Sequence, residues 1–319
     1  MSTSAPISEG RFINIHGHEQ WVTIRGANRS NPVLLILQGL AQTAPFLEPW
    51  EKDWTLVQWD PWGLGSTYAK NVEQGTADLS LDRNLRDAAT VIDFVRGHLG
   101  ARKIAILATS GGTITGLRLA ESRPDSFFAY VGNGQIVNFA RQEALSYELV
   151  LARSRAAGDS AAVAELESVG APPYKSVAAV AIKDKYANAI LPAEQAQFAA
   201  VDPGVLAAMR SPPPGANYIA QGLAPFDVRA VSMKWFEALL PEFMAFDARS
   251  LGLRFEVPMF FFQGEQDLHT VTSEVVSYVA ELSAPAKQLV LLPNAGHMSF
   301  FLRDQLLALL NQHVRPRCS

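Results

Sequence analysis

Lys103-Ile104-Ala105-Ile106-Leu107-Ala108-Thr109-Ser110-Gly111-Gly112-Thr113-Ile114 is the stretch whose reading decides the fold. Lys103 to Ala108 reads as a short apolar strand, and a helix from Gly112 to about Ser122 follows at once, stopped by Pro124. Between them stands Ala108-Thr109-Ser110-Gly111-Gly112, a serine among small residues at a strand-to-helix turn. A chain that folds back this tightly needs small neighbours, and the turn lifts the serine hydroxyl above the strand end. The usual spelling of such an elbow is G-x-S-x-G; here alanine takes the first place and is small enough. A plain helix N-cap is the competing reading of Ser110, since serine caps helices well.

The same alternation extends outward. Phe12–Ile15 and Gln20–Ile24 read as a hairpin around Gly17, Val33–Leu37 as a buried strand, and Trp54–Trp59 as the next. Leu81 to Leu99 has helical spacing, with Leu85, Ala88, Ala89, Ile92 and Val95 on one face. Phe127–Gly132, Pro258–Gln263 and Lys287–Leu292 read as strands, Ser273–Leu282 as a helix, and Ser299 to His313 as a last helix. Strand, tight turn, helix, strand is the mark of a mostly parallel sheet flanked by helices, an α/β fold with right-handed crossovers. Residues 138–249 differ: alanine-rich, helical in period, and broken at Gly170-Ala171-Pro172-Pro173 and Ser211-Pro212-Pro213-Pro214-Gly215. We read them as a helical cap inserted into a core made of residues 1–137 and 250–319, lying over the sheet edge where open α/β sheets bind ligands.

Two further strand ends carry chemistry. Phe262-Gln263-Gly264-Glu265-Gln266-Asp267 ends a strand with an acid, and Leu292-Pro293-Asn294-Ala295-Gly296-His297 ends the last strand with a histidine. Ser, Asp, His is the chain order of the hydrolase fold. In that reading His297 takes the proton of Ser110, and Asp267 fixes the imidazole tautomer. Glu265 competes for the role of acid. His269 is read as a loop or cap-facing residue, because the base should follow the last strand. The oxyanion hole is expected from the backbone N–H groups of Gly111 and Leu40, the latter in Gln38-Gly39-Leu40-Ala41-Gln42. Gly39, Gly111 and Gly112 are expected to serve backbone geometry.

Together these residues resemble the prolyl iminopeptidase-like branch of the α/β-hydrolases. The likeness covers most of the chain and is clearest in Trp54–Asp60, Asp82–Leu99, Arg123–Gly132, Gly158–Tyr174 and the Asp267 and His297 loops. It implies an α/β-hydrolase fold with an inserted helical cap, release of N-terminal residues from small peptides, and no metal or organic cofactor. The active-site loops differ from the family's. Its H-G-G-P-G is here Gln38-Gly39-Leu40-Ala41-Gln42, its D-Q-R-G is Asp60-Pro61-Trp62-Gly63, and its G-x-S-W-G-x is Ala108-Thr109-Ser110-Gly111-Gly112-Thr113. An enzyme that reads a free amine needs buried carboxylates, normally from the cap. Glu143, Glu148, Glu237 and Glu242 are the candidates. Trp235, Phe236, Phe243 and Phe246 form an aromatic group that either lines an acyl pocket or packs the cap on the core.

Composition narrows the field. The 319 residues are 48% apolar and 18% charged with a net charge of −4, which gives no electrostatic case for nucleic acid or an anionic membrane. One cysteine, Cys318, excludes an intrachain disulfide and reads as an idle surface thiol. The N-terminus lacks the pattern of a signal peptide, and the apolar runs are too short to span a bilayer, so a cytoplasmic location is expected. The expected partner is a small-molecule or short-peptide substrate. The sequence reads as a serine hydrolase of small esters or amides. Two alternatives stay open: a specialised enzyme cleaving a lactone or carbon–carbon bond, or rearranging its substrate, without a lasting acyl-enzyme, and a binding protein that keeps only the fold.

Overall fold

A computed structural model describes residues 5–38, 44–74, 78–188, 191–205, 222–224 and 226–318. Eight strands form one sheet: β1 (Ile7–Ile15), β2 (His18–Gly26), β3 (Val33–Gln38), β4 (Thr55–Trp59), β5 (Ile104–Thr109), β6 (Phe127–Asn133), β7 (Met259–Gly264) and β8 (Lys287–Leu292). Their order is β1-β2-β4-β3-β5-β6-β7-β8. β1 pairs antiparallel with β2 and β2 with β4; every later pairing is parallel. The β1–β2 hairpin is longer than its apolar pattern predicts. Nine residues on each side pair in register from Ile15↔His18 to Ile7↔Gly26, and pairing, not side-chain pattern, sets the length of an outer ribbon.

The central strands carry apolar side chains on both faces because helices cover both. Leu35, Leu37 and Ile106 join one core with Val91, Val95, Leu117 and Tyr278. Their neighbours Leu34, Ile36, Ala105 and Leu107 join the opposite core with Trp50, Trp54, Leu306 and Leu310. The two-residue period of a strand divides one run of apolar residues between two layers. Helix Leu81–Leu99 buries Ala88, Val91, Ile92 and Val95, with Ser80 as its N-cap and Gly100 in the left-handed conformation at its end.

Between β6 and β7 the described residues contain helices and no strand of the sheet: Phe139–Ala156, Ser160–Val169, Val177–Ala187, Pro192–Ala200 and Val228–Ala245. Asn138, Asp159, Ser176 and Asp227 each accept a hydrogen bond from a first-turn N–H, so the sequence marks where four of these helices begin. The two ends of the segment are stitched together: the Asn138 amide donates to Asp247 at 3.0 Å, and Ala248 N–H donates to Val137 C=O at 2.6 Å.

The last helix is not the single element expected. A 3-10 turn covers His297–Phe301, an α-helix Arg303–Leu309 and a wider π turn Leu310–Val314, with non-helical Leu302 (ψ 54°) at the first break. Of the expected apolar stripe, Phe301, Leu302, Leu306 and Leu309, the middle two are buried and the outer two half-buried, with Phe300 and Leu310 buried beside them. The stripe survives the break, and the tight first turn keeps His297 at the sheet edge.

Candidate active site

The parallel strands end in step. Gln38 pairs with Thr109, Thr109 with Asn133, Asn133 with Phe262, and Gly264 with Leu292. The loops bearing Ser110, Asp267 and His297 therefore leave from one edge of the sheet.

Ser110 has φ 48°, the left-handed region that costs a non-glycine residue about 1–3 kcal/mol. Its surroundings hold it there. Its N–H donates to Asn133 C=O at 3.0 Å, and its C=O accepts from the Thr113 N–H at 2.9 Å and hydroxyl at 2.5 Å. A Cβ on Gly112 would lie 2.3 Å from the Leu37 carbonyl oxygen, so only glycine lets the helix start this close to β3. Gly111 has an ordinary helical φ of −52°. The unusual backbone thus falls on the serine, and the glycine requirement on Gly112 is one of space.

His297 reaches both partners. Its Nε2 is 3.1 Å from Ser110 Oγ and its Nδ1 3.0 Å from Asp267 Oδ2. These partners assign the neutral tautomer with the proton on Nδ1. Asp267 is buried and its carboxylate is saturated. Oδ1 accepts from the His269 and Thr270 N–H groups at 2.8 and 2.9 Å, and Oδ2 from the Thr270 hydroxyl at 2.6 Å and the Gln263 amide at 2.9 Å. Burial works to raise the Asp267 pKa, but the His297 ring beside it and the bonds from His297 and Thr270 outweigh burial and hold it well below the usual carboxylate range. Glu265, the competing acid, is exposed. Behind His297, the Gly296 N–H donates to Glu194 Oε1 at 2.7 Å, and Glu194 Oε2 accepts from Leu191 N–H at 2.6 Å. Burial raises the Glu194 pKa against these two bonds.

The helical segment supplies a second charged group. Lys183 Nζ lies 2.8 Å from Glu143 Oε1 and 2.5 Å from Asp184 Oδ1, with Lys183 and Glu143 both fully buried. Asp184 Oδ1 is 2.9 Å from His269 Nδ1. Glu143, Asp184 and His269 could in principle hold a metal, their ligand atoms lying within 4.8 Å of one another. The Lys183 ammonium already bonds both carboxylates, so the protein brings its own cation. Burial disfavours that ammonium, but Glu143 and Asp184 outweigh burial and raise its pKa.

Of the expected pocket residues, Glu143 is buried as an amine reader requires, yet it is spent on Lys183. Glu148 and Glu237 are exposed. Glu242 accepts from Leu81 N–H at 2.9 Å and so caps helix Leu81–Leu99. Trp235 and Phe243 are buried, with Phe139 and Phe236 edge-on to Phe243 and the Trp235 indole donating to Trp62 C=O at 3.1 Å. Packing is what the structure shows for this aromatic group. Leu40 lies outside the described residues, as does Gly39. Cys318 is half-buried, not a surface thiol, and burial pushes its pKa up to about 12. Sequence reasoning missed Gln263, Thr270, Glu194, Lys183 and Asp184. Asp267-x-x-Thr270 carried an Asx-turn signal; Gln263 serves Asp267 four residues on without one, and Glu194, Lys183 and Asp184 act on residues far away in the chain.

A proline iminopeptidase-related protein of Thermus thermophilus superposes with a TM-score of 0.64 at 15% identity, over 98% of this chain and 99% of that one. An α/β-hydrolase fold protein of Chitinophaga pinensis gives 0.60 at 17%, over 96% of each. This chain has the α/β-hydrolase fold. An epoxide hydrolase of Vigna radiata shares that α/β-hydrolase fold at a TM-score of 0.56 and 16% identity, over 97% of this chain and 98% of that one. In sequence, the chain is 24% identical over 310 residues to the probable aminopeptidase YbaC of Bacillus subtilis (strain 168), 95% of each chain. No family model matches the chain. Among the described residues, no helix is long and apolar enough to cross a membrane.

Proposed function

We propose that this α/β-hydrolase is a serine hydrolase that cleaves a small ester or amide through an acyl-enzyme. One observation carries the reading: a serine at φ 48°, 3.1 Å from an imidazole whose other nitrogen is 3.0 Å from a buried carboxylate. Ser110 attacks the carbonyl as His297 Nε2 takes its proton, and Asp267 stabilises the imidazolium that forms. The oxyanion is received by the N–H of Gly111 at the helix N-terminus. His297 returns the proton to the leaving group, then activates water against the acyl-enzyme.

The names of relatives, an aminopeptidase and a proline iminopeptidase-related protein, suggest aminoacyl amides among the substrates. The capture of Glu143 by Lys183 favours substrates that do not need a free amine to be read. The test is covalent labelling with a fluorophosphonate, with turnover of p-nitrophenyl esters and proline and alanine p-nitroanilides alongside. Labelling at Ser110 is expected, with Ser110→Ala unlabelled and slower by about a thousandfold or more. A Ser110→Ala variant that keeps turnover while His297→Ala loses it overturns the acyl-enzyme in favour of chemistry without one.

A further inference from the structure

The turn Asp267-Leu268-His269-Thr270 faces two ways. Asp267 and Thr270 turn to His297, bonding each other at 2.6 Å and the imidazole at 3.0 Å through Asp267. Leu268 and His269 turn to the helical segment. Leu268 packs on the cluster of Tyr147, Val150, Leu151, Leu166 and Ala187, and His269 Nδ1 meets Asp184 at 2.9 Å. The His269 ring also lies against that of His297, with centroids 4.3 Å apart and planes at 51°.

Charge accounting explains why Asp184 holds an imidazole. Lys183 bonds both Glu143 and Asp184 in a buried site; burial raises the Glu143 pKa in spite of Lys183, whereas Asp184, against burial, is held well below the usual carboxylate range by His269 and Lys183. A protonated His269 is the partner that meets Asp184 on the side away from Lys183. Burial works against the imidazolium, but the adjacent Asp184 outweighs burial and raises the His269 pKa from its ordinary imidazole value, with Glu143 adding to the effect and Lys183 opposing it. The groups facing His269 are Asp184 and Lys183 of helix Val177–Ala187, Glu143 of helix Phe139–Ala156, Asp267 of its own loop, and His297 opposite.

We propose that the Asp184–His269 pair is a positioning device for His297: through Asp184 the helical segment fixes the charge and the packing that the candidate base meets on its ring. The proposal rests on His297 being the base of the serine-hydrolase reading. A positive charge held against the His297 ring opposes a second positive charge on it, and Asp267 on the other side favours one, so the pair bears on the imidazolium that forms when the serine proton is taken. The helical segment thus acts on the proton-transfer step without touching substrate.

The test follows the His297 ring by NMR titration and, in parallel, the pH dependence of Ser110 labelling by a fluorophosphonate. His269→Gln keeps a donor for Asp184 and removes the charge; Asp184→Asn removes the partner that keeps the charge in place. In each, the His297 midpoint is expected to rise by about half a pH unit or more, and the acid limb of labelling to move up with it. The double variant is expected to move no further than His269→Gln, because Asp184 acts through His269. A midpoint that stays in place in both variants overturns the proposal, even if their melting temperatures fall, since a purely structural role predicts that pattern. Additive shifts in the double variant overturn the route through His269. Wild-type protein that is not labelled at Ser110 refutes the serine-hydrolase reading, and the NMR midpoints still decide whether Asp184 and His269 set the protonation of His297.

Discussion

At the scale of single residues, the site depends on donors that leave Asp267 no freedom. Four donors besides His297 point at its two oxygens: the His269 and Thr270 N–H groups, the Thr270 hydroxyl and the Gln263 amide. Asp267→Asn is close to isosteric, but its NH2 must face donors and cannot accept the Nδ1 proton of His297 as well. The imidazole then loses the tautomer that leaves Nε2 free to accept from Ser110. Turnover is expected to fall by about ten-thousandfold, with the fold retained, as kinetics and circular dichroism on the same sample would show. Of this set, Ser110, Asp267 and His297 were legible because each ends a recognisable strand. Gln263 and Thr270 lie four residues before and three after Asp267, and neither residue type announces which carboxylate it serves.

At the scale of elements, the elbow is a contact between a helix and a strand. Helix Gly112–Ser122 begins so close to β3 that a methyl group at Gly112 would meet the Leu37 carbonyl at 2.3 Å. Backbone on both sides cannot yield cheaply. Gly112→Ala is expected to cost about 2–3 kcal/mol in denaturant unfolding and to reduce Ser110 labelling, because relief requires the helix start to shift. The same substitution at Gly97, where nothing lies within 4 Å of the added carbon, is the control and should not lose stability. Strand and helix identities in the core were legible from period and breakers. The C-terminal helix was misread as continuous: its apolar stripe is compatible with one helix, and the break falls at non-helical Leu302, between the His297–Phe301 turn and Arg303–Leu309.

At the scale of the whole molecule, helices between β6 and β7 bring Glu143, Lys183 and Asp184 to the loop that carries Asp267, and Glu194 to the loop that carries His297. With Lys183 seated on Glu143, that carboxylate has no charge to spare for a substrate ammonium. N-acetylated alanine p-nitrophenyl ester is therefore expected to have a kcat/KM at least equal to that of the free-amine ester. A preference of about tenfold or more for the free amine would show that another carboxylate reads it. By itself the sequence determined the α/β architecture, the order Ser110, Asp267, His297 and the helical character of the described residues between β6 and β7, because these are written in local period, breakers and strand-end residues. Only the tertiary structure decided that Glu143 is spent on Lys183, that Glu242 caps a helix, and that His269 stands between Asp184 and His297. Such pairings join residues tens to hundreds of positions apart, and a buried charge takes its role from the partner that neutralises it, which no local pattern records.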